Sequence, residues 1–147
     1  TIDRAVTSCE FVVRGVNYLQ NTSVAKGCAR YDSEPVYLGG YCITPAVNFL
    51  KRDTVTVNAY LRLQKGAMDD VVSWPFQRAI KVIIRHPITD ETKEIVVKPY
   101  SPFPFFQKPD EANRGYCFPG PSFKLSDLIN YGYVQNDQLQ VKWELLP

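Results

Sequence analysis

Residues 54–63, Thr-Val-Thr-Val-Asn-Ala-Tyr-Leu-Arg-Leu, alternate without a break between apolar and polar side chains. Successive side chains of a strand point to opposite faces. Val55, Val57, Ala59, Leu61 and Leu63 therefore share one face, and Thr54, Thr56, Asn58, Tyr60 and Arg62 share the other. One face packs on a core, and the other meets solvent or a ligand. The last stretch, residues 138–145, repeats the pattern with Leu139, Val141, Trp143 and Leu145 directed inward. A chain framed by two half-buried strands is built of sheets.

The remaining segments agree. Residues 10–19 are rich in β-branched and aromatic side chains and read as a first strand, with Gly15 at a bulge or close backbone approach. Residues 20–32 are polar, contain Gly27 and read as a long loop. Residues 41–49 read as a strand that Pro45 assigns to an edge or a bulge. Residues 77–85 and 94–98 flank a loose turn containing His86 and Pro87, which makes a hairpin. Residues 99–109 hold prolines and phenylalanines in a stiff, irregular connection. Ser126 is placed to cap one or two helical turns over residues 126–129. The expected architecture is all-β: an antiparallel sandwich of about seven to eight strands with short helical turns.

Between the long strand and the hairpin lies Lys65-Gly66-Ala67-Met68-Asp69-Asp70, followed by Val71, Val72, Ser73 and Trp74-Pro75-Phe76. Pro75 fixes its own φ and steers Ser73-Trp74 away from helix, and the two large rings are suited to closing the end of a β-core. Asp69, Trp74, Pro75 and Phe76 are thus expected to form a structural plug, with Asp69 as a turn acceptor.

With 147 residues the chain forms one domain, and a net charge of +2 gives no attraction for nucleic acid or a membrane surface. No apolar run approaches the roughly 18 residues of a spanning helix. Cys9, Cys28, Cys42 and Cys117 form no Cys-x-x-Cys pair, so no metal site and no cofactor is expected. They are either free apolar side chains in the cytoplasm or two disulfides of an extracellular protein, for which Asn21-Thr22-Ser23 would be a glycosylation sequon. Catalysis is poorly provided for: the single histidine, His86, reads as an exposed turn residue, and Asp69 and Asp70 are adjacent and diverge. No enzyme is expected.

Lys65-Gly66, Asp69 three residues after the glycine and Trp74-Pro75-Phe76 resemble the strand-to-strand connection of TRAF-C (MATH) domains, the receptor-binding β-sandwiches of the TNF-receptor-associated factors. Phe106-Gln107-Lys108-Pro109 is similar to that family's Phe-Gln-Arg-Pro, and Tyr133-Val134-Gln135-Asn136-Asp137 to its Tyr-Val-Arg-Asp-Asp. Ser33-Glu34-Pro35-Val36-Tyr37 and Gly40-Tyr41 fit its Ser-Pro-Pro-Phe-Tyr and Gly-Tyr. The resemblance holds in register over residues 10–147, with residues 1–9 as a lead-in.

The resemblance implies a domain that holds an extended peptide against a sheet edge. The family's Arg-x-Tyr falls on Ala46 and Asn48, its groove aromatic on Tyr60, and its Phe-Arg on Val97 and Lys98. Its three serines fall on Phe103, Pro104 and Phe105, followed by Phe106. The small residue and glycine that meet the peptide backbone fall on Arg114 and Gly115, followed by Tyr116. The polar reading head is thus replaced by aromatics and prolines. Either these rings offer a groove for an apolar or Pro-rich segment, with Lys98 or Arg114 pairing an acidic residue, or Phe103 and Phe105 fold inward and fill it. The implied function is a signalling adaptor's interaction domain for a receptor tail or substrate peptide. Trimerisation would come from an upstream coiled coil, and any RING segment would lie outside this chain. The alternatives are an assembly domain of a secreted meprin-like protein and the substrate-recognition domain of a ubiquitin-ligase adaptor.

Overall fold

The alternating stretch forms the strand β5 (Val55–Gln64), paired along its whole length with β4 (Tyr41–Lys51) in the computed structural model, which describes residues 2–100 and 104–147. Their register places Ile43 opposite Leu63, Val47 opposite Ala59 and Phe49 opposite Val57, all facing the core. The other elements in chain order are β1 (Ser8–Arg14), α1 (Val16–Lys26), β2 (Cys28–Asp32) and β3 (Val36–Leu38), all ahead of β4. After β5 come β6 (Ile80–Arg85), β7 (Thr92–Val97), β8 (Tyr116–Cys117), β9 (Phe123–Lys124), α2 (Leu125–Asn130) and β10 (Gln138–Leu145).

Two antiparallel sheets face each other. One runs β1-β10-β6-β7, and the other runs β2-β4-β5-β8 with β3 also on β4 and β9 also on β5. The core lies between them, with Leu139, Val141, Trp143 and Leu145 of β10 and Ile80, Val82 and Ile84 of β6 supplying one wall. The expected sandwich and its hairpin β6–β7 are present.

Five local expectations are corrected. The first strand ends at Arg14, and residues 16–26 form a helix rather than strand and loop. Gly15 is not a bulge; its left-handed backbone, φ 77°, turns the chain into α1. The helix has no local side-chain cap. Its first amides are instead met by Asp137, whose carbonyl accepts from Gly15 and Val16 at 3.0 and 3.1 Å and whose Oδ1 accepts from Asn17 at 2.7 Å. A carboxylate there satisfies orphan donors and complements the helix dipole. Residues 28–32, read as loop, are the strand β2.

Pro45 is not at an edge; β4 is flanked on both sides. Its carbonyl accepts from Ser33 at 3.0 Å. A residue's N–H and C=O point to the same side of an antiparallel ladder, so the missing donor faces residues 33–35, where neighbouring β2 has ended and β3 has not begun. Ser126 caps nothing: α2 starts at Leu125 with Lys124 as its N-cap.

The plug closes one end of the sandwich. Phe76 is buried, and the Tyr41 ring meets Phe76 and Trp74 edge-on at 4.8 and 5.2 Å. Asp69, only 6% exposed, accepts the Gly66 amide on Oδ2 at 2.9 Å, and its carbonyl accepts the Trp74 indole N–H at 2.8 Å. Its neighbour Asp70 points outward and pairs with Lys108. These two carboxylates should therefore separate on mutation. Asp69→Ala is expected to cost about 1–3 kcal/mol, the penalty for orphaning a buried amide. Asp70→Ala should leave the urea midpoint unmoved, because exposed pairs contribute little. Equilibrium denaturation of both variants checks the contrast.

Candidate functional site

Among the described residues β8 pairs with β5 alone. Tyr116 and Cys117 pair with Leu61 and Tyr60 of β5, and the opposite side of β8 is the end of the sheet. An edge strand presents unpaired backbone groups to any extended chain that comes alongside. The outer face of the same sheet flanks this edge. The β4–β5 register that sends Val47 and Phe49 inward sends Thr44, Ala46 and Asn48 outward, opposite Arg62, Tyr60 and Asn58.

Tyr60 is the centre of the cluster. Its hydroxyl accepts from Arg30 Nη1 at 2.9 Å, and the Arg30 guanidinium lies 4.8 Å from the ring centroid. Arg30 is itself held by Asp32 at 2.9 Å. The other side of Tyr60 rests on Gly115, where a Cβ would collide with the phenol ring and its hydroxyl. Only glycine permits that approach. Asn48 is nearly buried between Arg30 and Asn58 and donates Nδ2 to Cys117 Sγ at 3.5 Å. Asn58 donates to the Phe118 carbonyl at 2.9 Å, tying the outer face to β8. On this face Asn48 Oδ1 and Arg62 Nε are buried without a hydrogen-bond partner among the described residues, as are Asp69 Oδ1 and Trp143 Nε1 elsewhere.

The structure thus brings Ala46, Asn48, Tyr60, Gly115 and Tyr116 together around β8. The Tyr116 ring turns inward, 5.1 Å from each of Phe105, Phe106 and Phe118. Phe106 is buried and Phe105 half-buried, so both help to close the core beside Phe76. Phe103 lies outside the described residues. Lys98 and Arg114 are exposed, and among the described residues no hydrogen bond or ion pair links either to the Tyr60 cluster. Arg30, Asn58, Arg62 and Cys117 belong to the face and were not singled out by the sequence reading. Arg30 could have been found only by recognising β2, in which Ala29 and Tyr31 alternate with Cys28, Arg30 and Asp32.

Reactive groups elsewhere serve the framework. His86 Nδ1 accepts the amides of Ile88 and Thr89, both at 3.1 Å, and Nε2 lies 3.0 Å from the Tyr131 carbonyl. That ring joins the β6–β7 turn to the end of α2. Burial pushes the Cys9 thiol up to about 11 and raises Cys42 and Cys117 as well. All four cysteines are free. Among the described residues no group of three or more His, Cys, Asp or Glu is placed to hold a metal ion, and no helix is long and apolar enough to cross a membrane.

A two-sheet antiparallel sandwich with an open edge beside a polar, aromatic face is a protein-interaction fold. The family model for the TRAF/meprin MATH domain matches residues 30–142, and the chain belongs to that family. It is similar in fold to the solved structure of TRAF5 from Notothenia coriiceps, with a TM-score of 0.75 and 19% identity over 96% of this chain and 73% of that one. No curated protein matches the sequence.

The thiols give a direct check on the geometry. With a maleimide near pH 7, Cys28, the exposed cysteine, is expected to label first, while Cys9 should stay protected because its thiolate is scarce far below pH 11. Peptide mapping by mass spectrometry reads the order.

Proposed function

We propose that this domain captures an extended segment of a protein partner by strand addition at β8, with Tyr60, Arg30 and Asn48 reading its side chains. The open side of the Tyr116–Cys117 edge carries this reading. A peptide aligned there would pair its backbone with β8, and its alternate side chains would pass over the Tyr60 face. The inward turn of Phe105, Phe106 and Tyr116 favours a shallow, mixed surface over a deep apolar one. Lys98 and Arg114 are exposed cations, and in this reading they are available to an acidic residue of the partner.

The partner in this reading is a receptor tail or a substrate segment, and the domain is the recognition part of a larger adaptor. Single-site affinity for such a peptide is weak, and trimerisation through a preceding coiled coil would multiply it by raising the effective concentration. The reading places the domain in the cytoplasm. Its free thiols support that, as does the position of the sequon: Asn21 sits inside helix α1 and the Ser23 hydroxyl is buried on the Gln20 carbonyl.

The test is a titration of the chain with three peptides, followed by amide chemical shifts. One is of the receptor type Pro-x-Gln-x-Thr/Ser, one apolar and Pro-rich, and one scrambled. Saturable shifts at Gly115, Tyr116 and Cys117 are expected for one of the first two and not for the third. Gly115→Val should abolish them by displacing Tyr60, with the core signals of Trp143 and Val141 unchanged. Shifts that avoid β8, or that survive Gly115→Val, would overturn strand addition at this edge.

A further inference from the structure

At the plugged end of the sandwich, away from β8, a cleft of about 320 Å³ opens beside the turn between β3 and β4. Its walls include Arg4, Gly39, Tyr41, Gln77, Arg78 and Pro147, and among the described residues no Asp or Glu side chain lines it. We propose that this cleft is a phosphate-binding site, with Arg4 and Arg78 as its two cationic arms. This does not depend on the peptide reading of β8.

The two arms converge because the turn has no side chains. Gly39 and Gly40 both have positive φ, 57° and 90°. A Cβ on Gly39 would strike Arg78 Nη1, and one on Gly40 would lie 3.2 Å from Arg4 Cγ and 3.6 Å from its Nε. Glycine at both positions lets both side chains lie against the same short backbone. Arg78 is oriented by its Nε, which donates to the Leu146 carbonyl at 2.9 Å and leaves its terminal nitrogens free to turn to the cleft. Among the described residues neither guanidinium is within ion-pair distance of a carboxylate.

The remaining polar groups fit the same ligand. The Tyr41 hydroxyl is committed, donating to the Ser73 carbonyl at 2.5 Å, so it presents no competing charge. Burial raises the phenol, against the pull of Arg78 and Arg4, which places both cations within electrostatic reach of one oxygen. Two guanidinium forks on a cleft with no Asp or Glu side chain, neither within ion-pair distance of a carboxylate among the described residues, are matched by a dianion with three acceptor oxygens. A single carboxylate would neutralise one arm only. The cleft has room for a phosphorylated side chain as well as for free phosphate.

The experiment is an amide and Arg Nε shift titration at low, constant ionic strength with inorganic phosphate, O-phosphoserine and acetate. The proposal expects saturable shifts at Gly39, Gly40 and Arg78 with the phosphates, and tighter binding of either phosphate than of acetate. Preference for O-phosphoserine would identify a phosphorylated side chain as the source, and preference for inorganic phosphate a free ion. Arg4→Gln is exposed and leaves the core untouched; it should weaken phosphate by about tenfold, the loss of one charge-assisted hydrogen bond. Arg78→Lys keeps the charge and loses the fork, and should weaken it similarly. Equal, unsaturable shifts with phosphate and acetate would overturn the site. So would an Arg4→Gln variant that binds phosphate as the parent does.

Discussion

The register of β4 on β5 is the constraint from which both the core and the candidate site follow. Ten residue pairs lock it, from Cys42 opposite Gln64 to Lys51 opposite Val55. Because side chains alternate with period two, the choice that buries Ile43, Val47 and Phe49 also fixes Ala46, Asn48 and Tyr60 outward. A slip of β4 by one residue would turn Asn48 into the core and Phe49 onto the outer face. Core packing therefore selects the site geometry without any interaction of the site itself. This explains how a family scaffold can keep its outline while the side chains of its outer face change.

That logic also sets what could be read from the sequence. The strands at 54–63, 77–85, 94–98 and 138–145 announce themselves because periodicity is local, and β5, β6, β7 and β10 lie there. α1 gave no such signal. It buries only Val16, Leu19 and Ser23, has no acidic residue in its first turn, and takes its cap from Asp137, far along the chain. A capping partner supplied by tertiary structure is invisible to a search for local caps. Missing α1 concealed β2, and missing β2 concealed Arg30. Pro45 misled for a related reason: its missing donor is harmless only because β2 ends where it does.

Arg30 changes the meaning of the family correspondence. The resemblance assigns the family's Arg-x-Tyr to Ala46 and Asn48, an assignment that by itself implies a face without that cation and phenol. The structure puts a guanidinium back over the same region from the neighbouring strand, stacked on the phenol of Tyr60. Ala46 sits directly opposite Tyr60 and is itself fully buried, so the phenol and the Arg30 guanidinium are the recognition groups at this point of the face. Recognition chemistry on a sheet face depends on which side chains reach a point, and several register positions can reach the same one. Residue-by-residue transfer between distant relatives misses such compensation.

The outer face also carries a cost of its own. Asn48 Oδ1 and Arg62 Nε are buried without partners, on a face whose other polar groups, Thr44 with Gln64 and Thr56 with Asn58, satisfy each other. A buried unpaired group costs about 1–3 kcal/mol, and the folded domain already bears that cost. The two atoms are of opposite kind, an acceptor and a donor, and lie two rows apart along the β4–β5 ladder, on either side of the Ala46–Tyr60 pair. Both are closed off from solvent, so a partner segment would reach them only if the groups that cover this face moved aside. The accessible recognition chemistry of the face is therefore that of Tyr60 and Arg30, with the phenol held between the Arg30 guanidinium and Gly115.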